Sequence, residues 1–253
     1  MHKFGLKLWS TNTNFYYNQA LELYQQGIFD YIELYIVPKT IDTLEKWKNI
    51  NIPMDIHAPH FAHKMNLSKK EFIKSNFEKY NEVKTFADEL NSDIIVFHGG
   101  SGGDYKETAN QLAQFNDKRV LIENKPYETL SFVNEPYYVG AKYEELKYII
   151  DTVHCGFCLD IGHCICAANS FNFEPYSYIK KLATLNPVRI HLSDIHINTT
   201  LDEHLNFGLG NLDINRVMSI LPKNINITIE TNKTSKENLN DFISDVKFLK
   251  EII

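Results

Sequence analysis

Positive charge is in short supply in this chain. Its 26 Lys and Arg stand against 32 Asp and Glu, which leaves a net charge of −6 over 253 residues. Surfaces that grip nucleic-acid backbone usually carry a basic excess, so this balance speaks against one, although bound cations can supply local positive charge instead. No apolar run is long enough to cross a bilayer, and Met1-His2-Lys3-Phe4 does not read as a secretory leader. The expectation is a cytoplasmic protein with no membrane partner. Cysteine is scarce as well: Cys155, Cys158, Cys164 and Cys166 all fall within twelve residues. Cys155 and Cys158 have the spacing of a redox or zinc pair, but strand alternation would send them to opposite faces, and reduced thiols are expected. Apolar residues are ample, at 43% with 13% aromatic, which excludes a disordered chain.

Short apolar runs recur along the sequence and read as strands: Phe4 to Trp9, Tyr31 to Val37, Ile52 to Ile56, Ile94 to Phe97, Val120 to Ile122, Gly156 to Leu159, Val188 to Ile190 and Ile225 to Ile229. Helix-spaced apolar residues fill several of the gaps. The longest series, Ile73, Phe77, Tyr80, Val83, Ala87 and Leu90, predicts a helix over about Lys69 to Leu90, and Leu239 to Leu249 predicts a last helix over Lys236 to about Lys250. Eight strands alternating with helices, without a linker or a break in composition, predict a single (β/α)8 barrel over residues 1–253; about 250 residues is typical of that α/β fold. The long Pro- and Tyr-containing stretch Lys125 to Gly140 reads as a functional loop. The run Gly99-Gly100-Ser101-Gly102-Gly103 reads either as a phosphate cradle or as a plain turn.

Strand after strand ends in a residue that can ligate a metal. His57, His98, Glu123, Asp160 with His163, His191 and Glu230 follow six of the strands, and Asp202-Glu203-His204 lies in the loop after the seventh. Each has a bland reading alone: a histidine can simply bond a turn, Asp160 can cap a helix, and Glu230 can pair with Lys233. Together they are hard to explain as structure, because carboxylates gathered at one barrel mouth need cations among them to remain ionised. Imidazole and carboxylate are the usual ligands of Zn2+ and Mn2+. Asp194 is expected to support His191 from behind.

These strand ends resemble the endonuclease IV branch of AP-endonuclease family 2, within the xylose-isomerase-like TIM barrels. The resemblance rests on Ile56-His57-Ala58-Pro59-His60, Val96-Phe97-His98-Gly99, Ile122-Glu123-Asn124, Asp160-Ile161-Gly162-His163, Ile190-His191-Leu192-Ser193-Asp194, Asp202-Glu203-His204, Gly208-Leu209-Gly210-Asn211 and Ile229-Glu230-Thr231. It implies up to three Zn2+ ions, with Mn2+ as the alternative metal. His57, His98 and Glu123 would hold the first, and Glu123, Asp160, His191 and Glu230 the second. His163, Asp202 and His204 would hold the third. The chain departs from the family in a short loop from about Val37 to Ile41, in His60-Phe61 after the first ligand, in a shortened segment from Gly103 to Arg119, and in the lengthened loop from Lys125.

The resemblance implies hydrolysis of phosphate esters, with Glu123 as the bridging catalytic ligand and abasic-site DNA or a small phosphoester as substrate. A second reading from the same superfamily is a sugar or sugar-phosphate isomerase or epimerase. It would use one ion at Glu123, Asp160, His191 and Glu230, with the two glutamates moving a proton. Trp9, Glu33, His60, Phe61 and Lys125 are the candidate substrate contacts, and Tyr35 and Tyr127 would extend an aromatic mouth. A non-catalytic relic would be expected to have lost Glu123, Asp160 or Glu230, and all three are present.

Overall fold

The computed structural model describes residues 2–252. Eight parallel strands close in sequence order into one barrel: β1 (Lys3–Trp9), β2 (Tyr31–Tyr35), β3 (Met54–His57), β4 (Ile95–His98), β5 (Val120–Glu123), β6 (Gly156–Asp160), β7 (Arg189–Leu192) and β8 (Asn226–Ile229). The helices between them are α1 (Phe15–Gln25), α2 (Leu44–Lys48), α3 (Ile73–Glu89), α4 (Tyr105–Phe115), α5 (Tyr143–Val153), α6 (Ile161–Ser170), α7 (Pro175–Ala183), α8 (Ile214–Ile220) and α9 (Asn240–Ile252). The predicted second strand stops short, at Tyr35, and the predicted third begins only at Met54, after Pro53. The second helix is shorter than the periodicity implied, with a 3-10 turn at Ile41–Thr43 leading into it.

Alternation along the strands sets up two different environments. Leu6, Leu8, Ile32, Leu34, Ile56, Ile95, Phe97, Ile190, Leu192, Ile227 and Ile229 join the large core, with Trp47, Phe86 and Phe242 from the surrounding helices. The other face of each strand points into the barrel and is unusually polar. Its only apolar cluster among the described residues is small, comprising Ile94, Val96, Leu121 and Cys158. Near the strand starts, Arg189 reaches across to Asp55, with Nε donating to Oδ2 at 2.5 Å and Nη2 to Oδ1 at 3.3 Å. Tyr31 fills the space beside them and shares a hydrogen bond with Thr228 at 3.0 Å. Gly5 makes room for that ring, since a Cβ there would lie 2.4 Å from the Tyr31 Cζ. The strand starts are therefore sealed, and the open, ligand-rich end is where the strands finish.

Candidate metal centre

The register stacks the candidate residues into a ring. His98 pairs with Glu123, Asp160 with His191, and Tyr35 with His57 across adjacent strands. Glu123 is its centre. Its Oε2 lies 3.2 Å from His57 Nε2, 3.1 Å from His98 Nε2 and 3.5 Å from His191 Nδ1, while Oε1 lies 2.9 Å from His163 Nδ1. His57 is turned for this by its other nitrogen, which donates to the Ala58 carbonyl at 2.7 Å, leaving Nε2 a lone pair. Burial, reinforced by the charge of Lys125, pushes His98 down to about 3, and burial with Lys7 also lowers His57. Both rings are thus neutral, the form that ligates.

A second corner forms around His191. Its Nε2 donates to Glu33 Oε2 at 2.9 Å, so Nδ1 faces inward, 3.1 Å from Glu230 Oε1 and 3.9 Å from Asp160 Oδ2. A buried carboxylate fixing the tautomer of a histidine is the usual support of a metal ligand. The expected support, Asp194, does something else. Its carboxylate accepts from the amides of Ile195, Gly208, Gly210 and Leu212, and so folds the loop that presents Asp202 and His204. The backbone comes so close that a Cβ on Gly210 would lie 2.5 Å from Asp194 Oδ1.

At the third corner, Asp202 Oδ2 stands 3.0 Å from His163 Nε2 and 2.8 Å from His204 Nε2. Burial lowers the pKa of both histidines, but Asp160 outweighs it for His163, raised to about 10, and Asp202 for His204, raised to about 9. A divalent ion would displace the protons held there. His204 itself sits at a φ of 48°, a left-handed backbone position that side chains seldom take outside turns and sites. Asp160 has a double role: its Oδ1 caps α6 by accepting from the His163 amide at 2.7 Å, and its Oδ2 stays in the ring, 3.5 Å from His163 Nδ1.

The donor set fits metal. Three groups of three ligand atoms each lie within 4.8 Å of one another, His57–His98–Glu123, His163–Asp202–His204 and Glu123–Asp160–His163; Glu33, His191 and Glu230 lie as close, with Glu33 there as the support of His191. His98 Nδ1, Glu123 Oε1, His191 Nδ1, Asp202 Oδ1 and His204 Nδ1 are buried without a hydrogen-bond partner among the described residues. Each such atom costs about 1–3 kcal/mol unless something satisfies it. Glu123 Oε1 and His191 Nδ1 do face ion-pair partners, at 2.9 and 3.1 Å, and the gathering of all five atoms in one ring suits cation ligands.

Above the ring lies a cavity of about 480 Å³, the size of a small-molecule site. Trp9, His60, Phe61 and Lys125 line it, as do Tyr35 and Leu130. Glu33 does not: it is wholly buried beneath the ring, holding His191, Thr228 and Lys7, so its expected place as a substrate contact gives way to a supporting one. Tyr127 packs outward against Tyr137 and Phe171. The glycine run is no phosphate cradle either, since Asn66 and Ser68 occupy its concave side. A Cβ on Gly100, whose φ is 103°, would lie 2.3 Å from Asn66 Oδ1. Glu230 pairs with Lys7 at 2.6 Å, not with Lys233. Lys233 lines the cavity without an ion-pair or hydrogen-bond partner among the described residues, and burial lowers it to about 8. The four thiols are unpaired, and none joins a metal-binding group among the described residues.

Sequence reasoning passes over Lys7, Arg189 and Asp55. A signal is available: each lies two residues before a strand-end residue, on the same face, and in a strand buried on both sides a charged residue points into the barrel.

A family model for the xylose isomerase-like TIM barrel matches residues 21–252. The chain belongs to that family. Among curated proteins, a probable endonuclease 4 of Mycoplasmopsis pulmonis is 29% identical over 216 residues, 76% of each chain. Among solved structures, a D-tagatose 3-epimerase-like protein superposes with a TM-score of 0.74 at 22% identity, covering 99% of this chain and 96% of the other. Endonuclease IV from Thermus thermophilus superposes with a TM-score of 0.68 at 19% identity, covering 98% of this chain and 99% of the other. These proteins carry the names of endonucleases and of an epimerase-like protein, and at such identities the likeness to the solved structures speaks for the fold alone. Among the described residues, no helix is long and apolar enough to cross a membrane.

Proposed function

We propose that the chain is a metal-dependent hydrolase of phosphate esters of the endonuclease IV type, with up to three Zn2+ or Mn2+ ions in the ring. The observation that carries this reading is the third corner. His163 Nε2, from α6, and His204 Nε2 both lie within 3.0 Å of one Asp202 oxygen, and Asp194 holds in place the loop that carries Asp202 and His204. A one-metal isomerase has no use for that corner, nor for His57 and His98 around Glu123. Divalent ions supply acidified water and charge stabilisation at a phosphoryl group. The residues do the rest. Glu123 ties the first two corners together, and Glu230 anchors the second. Lys125, 3.0 Å from His163 Nε2, and Lys233, which lines the cavity, set positive charge beside an anionic substrate. Trp9, Tyr35 and Phe61 offer aromatic faces to its organic part.

The cavity volume and the net charge of −6 favour a small phosphoester or sugar-phosphate group as the unit that enters, whether free or as the abasic residue of a DNA strand. The same volume favours, as a second reading, a sugar or sugar-phosphate isomerase or epimerase. It would use one ion at Glu123, Asp160, His191 and Glu230, with Glu123 and Glu230 as acid and base.

His204→Ala separates the two. Turnover of abasic-site DNA and of small phosphodiesters is expected to fall about 100-fold or more, as when a group stabilising transition-state charge is lost. Ketose and aldose phosphates serve as the parallel assay. Isomerisation of a sugar phosphate that survives His204→Ala unchanged would replace the hydrolase reading with the isomerase one.

A further inference from the structure

The ring already contains a cation of its own. Lys7 enters from β1 with its Cα paired to that of Glu33, and its ammonium is almost withdrawn from solvent, at 11% exposure. Nζ donates to Glu33 Oε1 at 2.6 Å and to Glu230 Oε1 at 2.6 Å. That Glu230 oxygen is the one 3.1 Å from His191 Nδ1, the inward-facing nitrogen of the second corner. The other oxygen of Glu33 accepts from His191 Nε2 at 2.9 Å and from Thr228 at 2.7 Å. The ammonium therefore ties the residue that orients His191 to the carboxylate that faces it. Among the described residues no other corner has an ammonium hydrogen-bonded to two carboxylates: Lys125 lies 3.0 Å from His163 Nε2 at the third corner, but it comes no nearer to Glu123 than 3.7 Å and so is not pinned between carboxylates as Lys7 is.

We propose that Lys7 is a fixed cation that competes with the ion at the second corner, so that the chain fills the His57–His98–Glu123 and His163–Asp202–His204 corners tightly and the His191–Glu230 corner last and weakly. The inference rests on the metal-centre reading above. An ion facing His191 Nδ1 at the second corner would draw on the same Glu230 carboxylate as an ammonium that cannot move away without abandoning Glu33. Two like charges within a few ångströms, shielded from water, repel strongly. The weak ion is then the natural one to exchange. It is also the only ion a one-metal isomerase would have, so the placement of Lys7 further disfavours that reading.

The test is a Zn2+ titration against a colorimetric chelator, with plasma mass spectrometry of the desalted protein, on the wild type, Lys7→Met and Lys7→Arg. The wild type and Lys7→Arg are expected to retain two ions and to take the third weakly. Lys7→Met is expected to retain three, with the affinity for the third equivalent raised on the order of 100-fold. Lys7→Gln, which keeps hydrogen bonds to both glutamates without the charge, repeats the test should Lys7→Met fail to fold. A wild type that holds three ions equally tightly overturns the proposal and leaves the metal centre standing, as do neutral variants that take the third ion no better. Weaker binding in the neutral variants would also overturn it, because Lys7 would then be organising Glu230 for metal. A wild type that binds no Zn2+ overturns both.

Discussion

Glu123→Gln is expected to leave the barrel folded, remove at least one metal ion and lower phosphoester turnover about 100- to 1,000-fold. Glutamine has the shape of glutamate, so the packing in this fully buried position is kept. The electrostatics are not. Within 3.5 Å of its two oxygens, Glu123 meets His57, His98, His163 and His191, one residue or more from each of the three corners. Burial opposes the charge of Glu123, but the positive groups around it, Lys125 and His191 among them, overcome it and hold the carboxyl well below the usual range. An amide supplies one neutral acceptor, and its NH2 would point donors at nitrogens that need their lone pairs for metal. Metal content by plasma mass spectrometry, alongside thermal unfolding, separates loss of the site from loss of the fold. Full metal content in a well-folded Glu123→Gln protein would remove Glu123 from the centre of the site.

The second large effect is expected far from the chemistry. Arg189→Met strips the partner from Asp55 near the strand starts, where the two side chains are 17% and 10% exposed. Burial raises the Asp55 carboxyl above its ordinary value, and the Arg189 guanidinium offsets only part of that. Leaving one member of a buried pair uncompensated costs about 3–5 kcal/mol. In a chain of this length that lowers Tm by roughly 6–20 °C. The double variant Arg189→Met/Asp55→Asn is expected to recover part of the loss, because neither charge then remains buried alone. Additive losses in calorimetry would mean that the pair acts through packing and not through charge.

How much of this is legible in the sequence depends on whether a residue's environment matches a simple period. The strands of a parallel barrel are apolar runs buried on both faces, so β4 and β5 stand out, and their polar terminators His98 and Glu123 stand out with them. The helix at Ile161–Ser170 does not. It is buried on every side from Ile161 to Ala168, so it has no polar stripe, and it follows β6 without a break. The interior is hard to read for a related reason. In Lys3–Trp9 the alternation marks Phe4, Leu6 and Leu8 as buried, which by the simple rule leaves Lys7 to solvent. In a closed barrel the other face is also inside, and Lys7 lies against two glutamates. Glu33 reads as a substrate contact, because a strand-end position does not tell whether a side chain lies above or beneath the ring. The fate of Asp194 depends on the return of residues 205–212 towards it, a contact that no local pattern encodes.

The central claim is that this barrel mouth holds a multinuclear metal centre, and counting ions tests it most directly. The purified chain, dialysed against metal-free buffer after loading with Zn2+, is expected to carry two or three ions by plasma mass spectrometry, and His204→Ala one fewer. A single exchangeable ion in the wild type, with His204→Ala unchanged, would contradict the claim and leave a one-metal site at the second corner.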